Sequence, residues 1–283
     1  MSARVATAER AVTGPAPGGV RGLGPRLAGS SWAGGAAGVV VLLAVWSVLS
    51  TTVATTGDGV PTPWAVVGGI FDDGWTFYGP NIGQTAGEAL TGYLLGNALA
   101  LALAVLVLVV PVLERVVTQI AVASYCLPIV AVGPILSLVL NGDQPMAAMA
   151  GLSVFFTTLV GAMLGLRSAD PVSLDLVRAY GGGRWQQLIR VRLIAALPST
   201  LAALRIAAPA ALLGAVIGEY LGRVDNGLGI SMTIAQQQLD VARTWGIALM
   251  SGAVAGVGYG IVGLIARFAA PWARSTTVEG GGS

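Results

Sequence analysis

Ionisable groups within long apolar runs are few in this chain, and three stand out: Glu88, Arg205 and Glu219. Such groups are costly in hydrocarbon and mark pathways, gates or structural pairs where they persist. Glu88 and Glu219 fall near one end of their runs, where either could face a pore or an external partner. Glu219 reads as a structural or gating carboxylate, and Arg205 either lines a pore or snorkels from the end of its helix. Neighbouring polar residues (Asn97, Ser124, Tyr125, Ser137, Ser153, Thr157, Thr158) suit hydrogen bonding between packed helices. Enzymatic chemistry has little to work with. The chain has no His, so a nucleophile–His pair and the commonest metal ligand are both missing. Cys126 is the only cysteine, which excludes an intrachain disulfide and a Cys-based metal cluster. It sits in an apolar run and reads as a small buried hydrophobe. There is no phosphate-cradling Gly-Lys-Ser/Thr loop and no paired acidic motif. The chain is therefore expected to be neither an enzyme nor a metal binder.

The elements that must position these residues are membrane helices. Apolar residues make up 55% of the 283 and charged residues 10%, too few charges to cover a water-facing surface. The net charge of +2 gives no reason to expect nucleic acid as a partner. Six runs are long enough to span a bilayer: Trp32–Ala54, Ala86–Val110, Val116–Leu140, Met146–Leu166, Leu201–Ile217 and Trp245–Phe268. The third carries Pro128 and Pro134 and is expected to bend. Asn141–Pro145 is a turn. Residues 1–30, rich in Gly, Pro and Ala, read as a flexible basic tail before a retained signal-anchor helix, and 31–274 as the membrane domain. Residues 275–283 form a C-terminal tail whose final Gly-Gly-Gly-Ser resembles an appended linker.

Every basic residue is Arg, and their distribution fixes an expected orientation. Twelve of the 15 fall in the tail, the second-to-third turn, the fourth-to-fifth loop and the C-terminal end, whereas only Arg223 and Arg243 fall on the opposite side. The positive-inside rule then places both termini in the cytoplasm. Asp58, Asp72, Asp73, Asp143, Asp225 and Asp240 fall outside or near the outer face. Gly252, Gly256 and Gly260, four apart in the last span, allow close packing within the chain or across a dimer.

Between the fourth and fifth spans, Arg167–Pro198 is too charged to cross. Leu174, Leu176 and Val177 form a short helical stripe, Gly181-Gly182-Gly183 stops it, and Trp185, Leu188, Ile189 and Leu193 recur at three- and four-residue steps. The expectation is helix, Gly turn, helix. By composition alone it is a basic amphipathic pair resting on anionic lipid.

The stretch from Asp175 to Trp185 resembles the coupling-loop motif of ABC importer permeases, written Glu-Ala-Ala, three residues, then Gly. Gly181 falls on the motif Gly. Arg184-Trp185 with Leu197-Pro198-Ser199 is similar to the nitrate/sulfonate/taurine branch of the binding-protein-dependent permeases, as are Val60-Pro61-Thr62-Pro63 and Glu219 followed by Asn226-Gly227-Leu228-Gly229. The chain departs from the pattern at Asp175 for Glu, Leu176 and Val177 for Ala-Ala, Ile194 for a Pro, and Glu88 where many members carry Arg.

The resemblance implies an all-α, type I importer permease fold with a cytoplasmic coupling segment at 170–198, in a multi-pass subunit of the bacterial cytoplasmic membrane. It implies partners: ABC ATPase subunits, an extracytoplasmic solute-binding protein, a second permease subunit (identical or not) and membrane lipid. ATP and Mg would sit on the ATPase subunits, leaving no cofactor on this chain. Asp175, Leu176, Arg178, Tyr180, Gly181, Arg184 and Trp185 are the implied ATPase-coupling residues, with Leu176, Tyr180 and Trp185 as apolar anchors. The cargo would be a small polar nutrient. The rival reading is a secondary, ion-coupled transporter, which would show inverted repeats and a midplane coupling carboxylate. Neither is visible, and the large cytoplasmic loop favours ATP coupling.

Overall fold

A computed structural model describes residues 31–53, 59–222 and 224–271. The tails expected at 1–30 and 275–283, Asp58 and Arg223 lie outside the described residues. The chain divides between Val45 and Trp46 into two units. Helix α1, Ser31–Val53, begins in the first; it carries no charged residue and, at about 1.5 Å per residue, is long enough to cross a bilayer.

Helix α2 runs Pro63–Val109. Thr62 caps it, its hydroxyl accepting the Ala65 N–H at 3.4 Å, and Pro63 occupies the first turn, where no N–H is needed. Starting at Pro63 rather than Ala86, it is far longer than expected. Gly74, at φ 61°, kinks it in a conformation that a side chain would strain. The break at Pro111 ends it. Helices α3 (Glu114–Cys126) and α4 (Ile129–Val139) meet at 100°. The expected bend is thus a sharp break: Pro128 donates no N–H and forces Leu127 into extended backbone. Cys126 is exposed beside that break, correcting its assignment to the core. The break leaves Tyr125, Cys126 and Leu127 on the surface.

Helix α5 (Gln144–Arg167) is the centre of the bundle, packed most extensively against α2 and α8. Helix α6 (Pro171–Ala179) and the one-turn α7 (Arg184–Gln187) follow, then a π turn at Leu188–Arg192 and α8 (Leu193–Leu221). The second helix expected at Trp185–Leu193 is therefore not separate. No helix breaker lies between Arg184 and Leu193, so it runs directly into the fifth span. Helices α9 (Leu228–Gln237) and α10 (Val241–Ala269) complete the fold. Among the described residues, five helices can cross a membrane, six if the α3–α4 pair counts as one broken span.

Small residues let the central helices touch backbone to backbone. A Cβ on Gly96 of α2 would stand 2.5 Å from the Gly151 carbonyl oxygen and 2.7 Å from Val154 Cγ2, both on α5. Backbone cannot swing aside, so we expect Gly96→Ala to destabilise the bundle by about 1–3 kcal/mol. Gly87→Ala, where a Cβ meets nothing within 4 Å, should leave it unchanged in the same thermal melts. The Gly252, Gly256 and Gly260 stripe behaves differently. A Cβ on any of them meets nothing within 4 Å, so these glycines do not serve packing among the described residues. Two polar pairs cross the bundle: Thr158 donates to Asn97 Oδ1 at 2.5 Å, and Tyr93 donates to the Leu204 carbonyl at 3.1 Å.

Candidate functional sites at the two ends of the bundle

One end of the bundle carries α6. Asp170 starts it, accepting the Val172 and Ser173 N–H groups at 3.2 Å each and the Ser173 hydroxyl at 3.0 Å. The Ser173 hydroxyl, then the backbone donors, hold the Asp170 carboxyl below its ordinary range. The helix stops in a Schellman turn: Gly182 N–H donates to Val177 O at 2.8 Å and Gly181 N–H to Arg178 O at 2.9 Å, with Gly181 at φ 77°. The sequence-predicted Gly turn thus has a specific cause at Gly181. Gln187, buried, donates to the Leu174 carbonyl at 3.2 Å and ties α6 to α7.

This arrangement divides the apolar stripe. Leu174 and Val177 are half-buried, while Leu176, Tyr180 and Trp185 project outward at 58%, 86% and 64% exposure. Val172, not singled out by sequence, joins them. Arg178 pairs with Asp175 one turn away at 3.0 Å, and Arg167 pairs with Glu114 at 2.6 Å. Arg184, Arg190 and Arg192 make no ion pair among the described residues. Behind this face a cavity of about 650 Å³ is lined by Pro111, Leu166, Arg184, Trp185 and Arg192. The seven residues expected to couple are thus together, as an apolar patch edged by guanidinium groups.

The opposite end holds the carboxylates. Glu219 of α8 is fully buried, and Glu88 nearly so, which corrects the expectation that either faces an open pore or an external partner. Glu219 Oε1 accepts from the Thr85 hydroxyl and Oε2 from the Gly229 N–H, both at 2.6 Å. Thr85 accepts the Leu228 N–H at 2.9 Å, and Asn81 Oδ1 accepts the Gly227 N–H at 2.8 Å. Three side chains from α2 and α8 therefore satisfy successive N–H groups that the start of α9 leaves open. A carboxylate is electrostatically favoured there. The Gly-Leu-Gly turn also explains itself. Gly227 has φ 138°, and a Cβ on it would run into the Glu219 carboxyl; one on Gly229 would strike the Val216 carbonyl.

Glu88 Oε1 accepts from Gln84 at 2.9 Å, and Oε2 is buried without a partner. Its carboxyl is a neighbour of the Glu219 carboxyl. Glu88 thus stands as a second buried carboxyl beside the group that caps α9. We expect Glu88→Gln to preserve or raise the melting temperature, because an amide keeps the Gln84 contact and is cheaper to bury than a second carboxyl beside Glu219. Asn81 and Thr85 were missed by sequence reading. Their spacing with Glu88 (81, 85, 88) marks one helical face, and that polar stripe was the available signal. Nearby, Arg243 forms a bidentate pair with Asp73 beside the α2 kink, Nε donating to Oδ2 at 2.9 Å, and so fixes α10 against α2. Arg205 is apart from both ends. Its guanidinium lies on the Tyr259 ring, Cζ 4.1 Å from the centroid, on the exposed flank between α8 and α10. Neither Tyr259 nor Gly263 beneath it was anticipated.

Comparison with known proteins fits this architecture. Residues 92–275 match the family described as "Binding-protein-dependent transport system inner membrane component". A probable ABC transporter permease protein of Haemophilus influenzae is 31% identical over 204 residues, covering 72% of this chain and 82% of the relative. A putative aliphatic sulfonates transport permease protein, SsuC, of Bacillus subtilis is 25% identical over 246 residues, covering 83% and 86%. A formylaminopyrimidine transport permease protein, ThiX, of Halalkalibacterium halodurans is 29% identical over 162 residues, covering 57% and 64%. The α6 turn, the Glu219 carboxylate and the Gly-Leu-Gly turn all fall within the matched region. This multi-pass membrane chain belongs to the binding-protein-dependent transport system inner membrane component family, that of the ABC transporter permeases.

Proposed function

We propose that the chain is the permease subunit of an ATP-driven importer of a small polar nutrient, coupled to separate ATPase subunits through α6 and the turn that follows it. The observation that carries this reading is the outward projection of Leu176 and Tyr180 from α6 and its turn, which lie outside every candidate span, and of Trp185 from the first turn of the helix that continues into the fifth span. Exposed apolar side chains in a tight group mark an interaction surface, and aromatic anchors edged by Arg are what interface hot spots are made of. In this reading α6 faces the cytoplasm, as the Arg distribution favours. The α9 end faces outward toward a solute-binding protein. The exposed glycine stripe of α10 receives a second permease subunit. Arg178 and Arg184 meet acidic groups on the ATPase rim, and ATP and Mg belong to that partner.

Reconstitution separates this from ion-coupled transport. With its ATPase subunits and binding protein in vesicles, solute uptake should require hydrolysable ATP and ignore ionophores that collapse proton and sodium gradients. Uptake by the permease alone, driven by an imposed ion gradient, would establish the secondary-transporter reading instead.

A further inference from the structure

The first turns of α2 form a separate arm. Gly74, at φ 61°, breaks the helix after Asp73, and Pro63–Asp73 leads into that break. A few contacts fix where the arm lies. Just before it, the Trp46 indole N–H donates to the Pro61 carbonyl at 3.1 Å, and the Trp46 ring stacks on Trp245 with centroids 5.4 Å apart. Toward its far end, a Cβ on Gly246 would stand 3.1 Å from Ile70 Cγ1, and Asp73 pairs with Arg243. The arm is about 15 Å long, yet these contacts reach α10 only between Arg243 and Gly246, about 5 Å of that helix. The arm therefore crosses α10 instead of running along it. It does so at the level of the first turns of α10, which is itself long and apolar enough to span.

The two faces of the arm differ. Val66 is fully buried, and Ile70 and Asp73 are partly buried against α10. Trp64, Val67 and Phe71, at helical spacing, project from the other face at 65%, 47% and 79% exposure, and Trp75 follows beyond the break at 75%. Further along α2 the large exposed side chains are aliphatic: Leu90, Leu94, Leu95 and Leu99. Tryptophan collects where hydrocarbon meets headgroups, whereas aliphatic side chains suit the hydrocarbon itself. An aromatic stripe that lies across the start of a span, and continues the exposed apolar flank of α2, fits a bilayer surface. Val60–Gly79 carries no basic residue, and Asp72 is exposed beside the stripe, so nothing on the arm selects anionic headgroups. We infer that Pro63–Asp73 is an interfacial helix, lying on the bilayer surface at the α9 end of the bundle. Trp64, Val67, Phe71 and Trp75 enter the boundary between headgroups and acyl chains, and the Asp73–Arg243 pair hooks the arm to α10.

Nitroxide labels read this depth directly. The complete chain, one copy per phosphatidylcholine nanodisc, carries a single labelled cysteine in a Cys126→Ser background. Phe71→Cys reports on the stripe, Leu95→Cys on the exposed mid-span of α2, and Asp225→Cys on the exposed loop before α9. The label at Phe71 should collide with oxygen in preference to a water-soluble nickel chelate, with a ratio between those at Leu95 and Asp225. Adding phosphatidylglycerol should leave that ratio unchanged. Trp64→Cys reads the same face if Phe71→Cys lowers the melting temperature. A nickel-dominated ratio equal to that at Asp225 would overturn the inference and leave the stripe free for a soluble partner, such as a solute-binding protein. Exclusion of both reagents would overturn it too, because protein would then cover the stripe. So would entry into lipid only when phosphatidylglycerol is present. ATP coupling plays no part in this measurement, so its outcome is separate from that of the importer reading.

Discussion

Glu219→Ala is expected to free the α9 turn and abolish ATP-dependent uptake. The carboxylate holds the Gly229 N–H and the Thr85 hydroxyl at 2.6 Å in a space closed to water. Its removal leaves a buried donor unsatisfied and a cavity beside it, together a loss of about 2–4 kcal/mol. Glu219→Gln should fall between, because Thr85 and Gly229 donate to different carboxylate oxygens and an amide keeps an acceptor at only one of those positions. Amide exchange gives a sharper reading than stability alone: the Gly227, Leu228 and Gly229 amides should lose protection in Glu219→Ala while those of α5 keep theirs. Unchanged protection, or normal uptake in Glu219→Gln, would contradict a clasp. Glu88→Gln is the natural comparison, since it alters the neighbouring carboxyl without touching an α9 donor.

The second large effect is expected at Trp185. Its side chain is 64% exposed, so truncation should leave insertion and melting temperature within the range of an ordinary surface change, about 0.5 kcal/mol. The loss should appear only in the assembled transporter. An aromatic hot spot is worth about 2 kcal/mol or more to an interface, which corresponds to a fall of about thirtyfold in affinity for the ATPase subunit. Trp185→Ala should therefore separate solute-stimulated ATP hydrolysis from basal hydrolysis, and Tyr180→Ala should act in the same direction. Normal coupling in the double variant, measured in vesicles, would remove α6 and its turn from the docking role. A lipid-resting pair would instead show reduced binding to anionic vesicles with coupling intact.

Much of the architecture was legible because bilayer chemistry writes it in composition. Long apolar runs, the Pro break in the third span and the glycine stop after Ala179 all carry local signals, and each appears in the fold. What was hidden depended on partners distant in sequence. The length of α2 could not be read, because Asp72, Asp73, Pro80 and Asn81 look like loop residues until Arg243, Gly227 and Glu219 are placed against that helix. The Trp185–Leu193 stripe looked like a free amphipathic helix because periodicity does not record where a helix ends when no breaker follows. Cys126 illustrates the same limit: free cysteines are usually buried, but a 100° break beside it leaves this one at the surface. Glu88 and Glu219 were visible as costly charges, yet the role of Glu219 at the start of α9 emerges only with Asn81 and Thr85, which carry no charge to attract notice.

The central claim is that α6 and its turn receive the ATPase. Cysteines placed singly at Tyr180 and at Gln236 in a Cys126→Ser background test it, with a short bifunctional thiol reagent applied to the complete transporter. Tyr180 lies on the α6 turn, and Gln236 lies on α9 at the opposite end of the bundle, bonded at 2.9 Å to the Tyr220 hydroxyl. The account predicts a cross-link from position 180 to the ATPase subunit, changing in yield when ATP is added, and none from position 236. Cross-linking from 236 in place of 180 would contradict it.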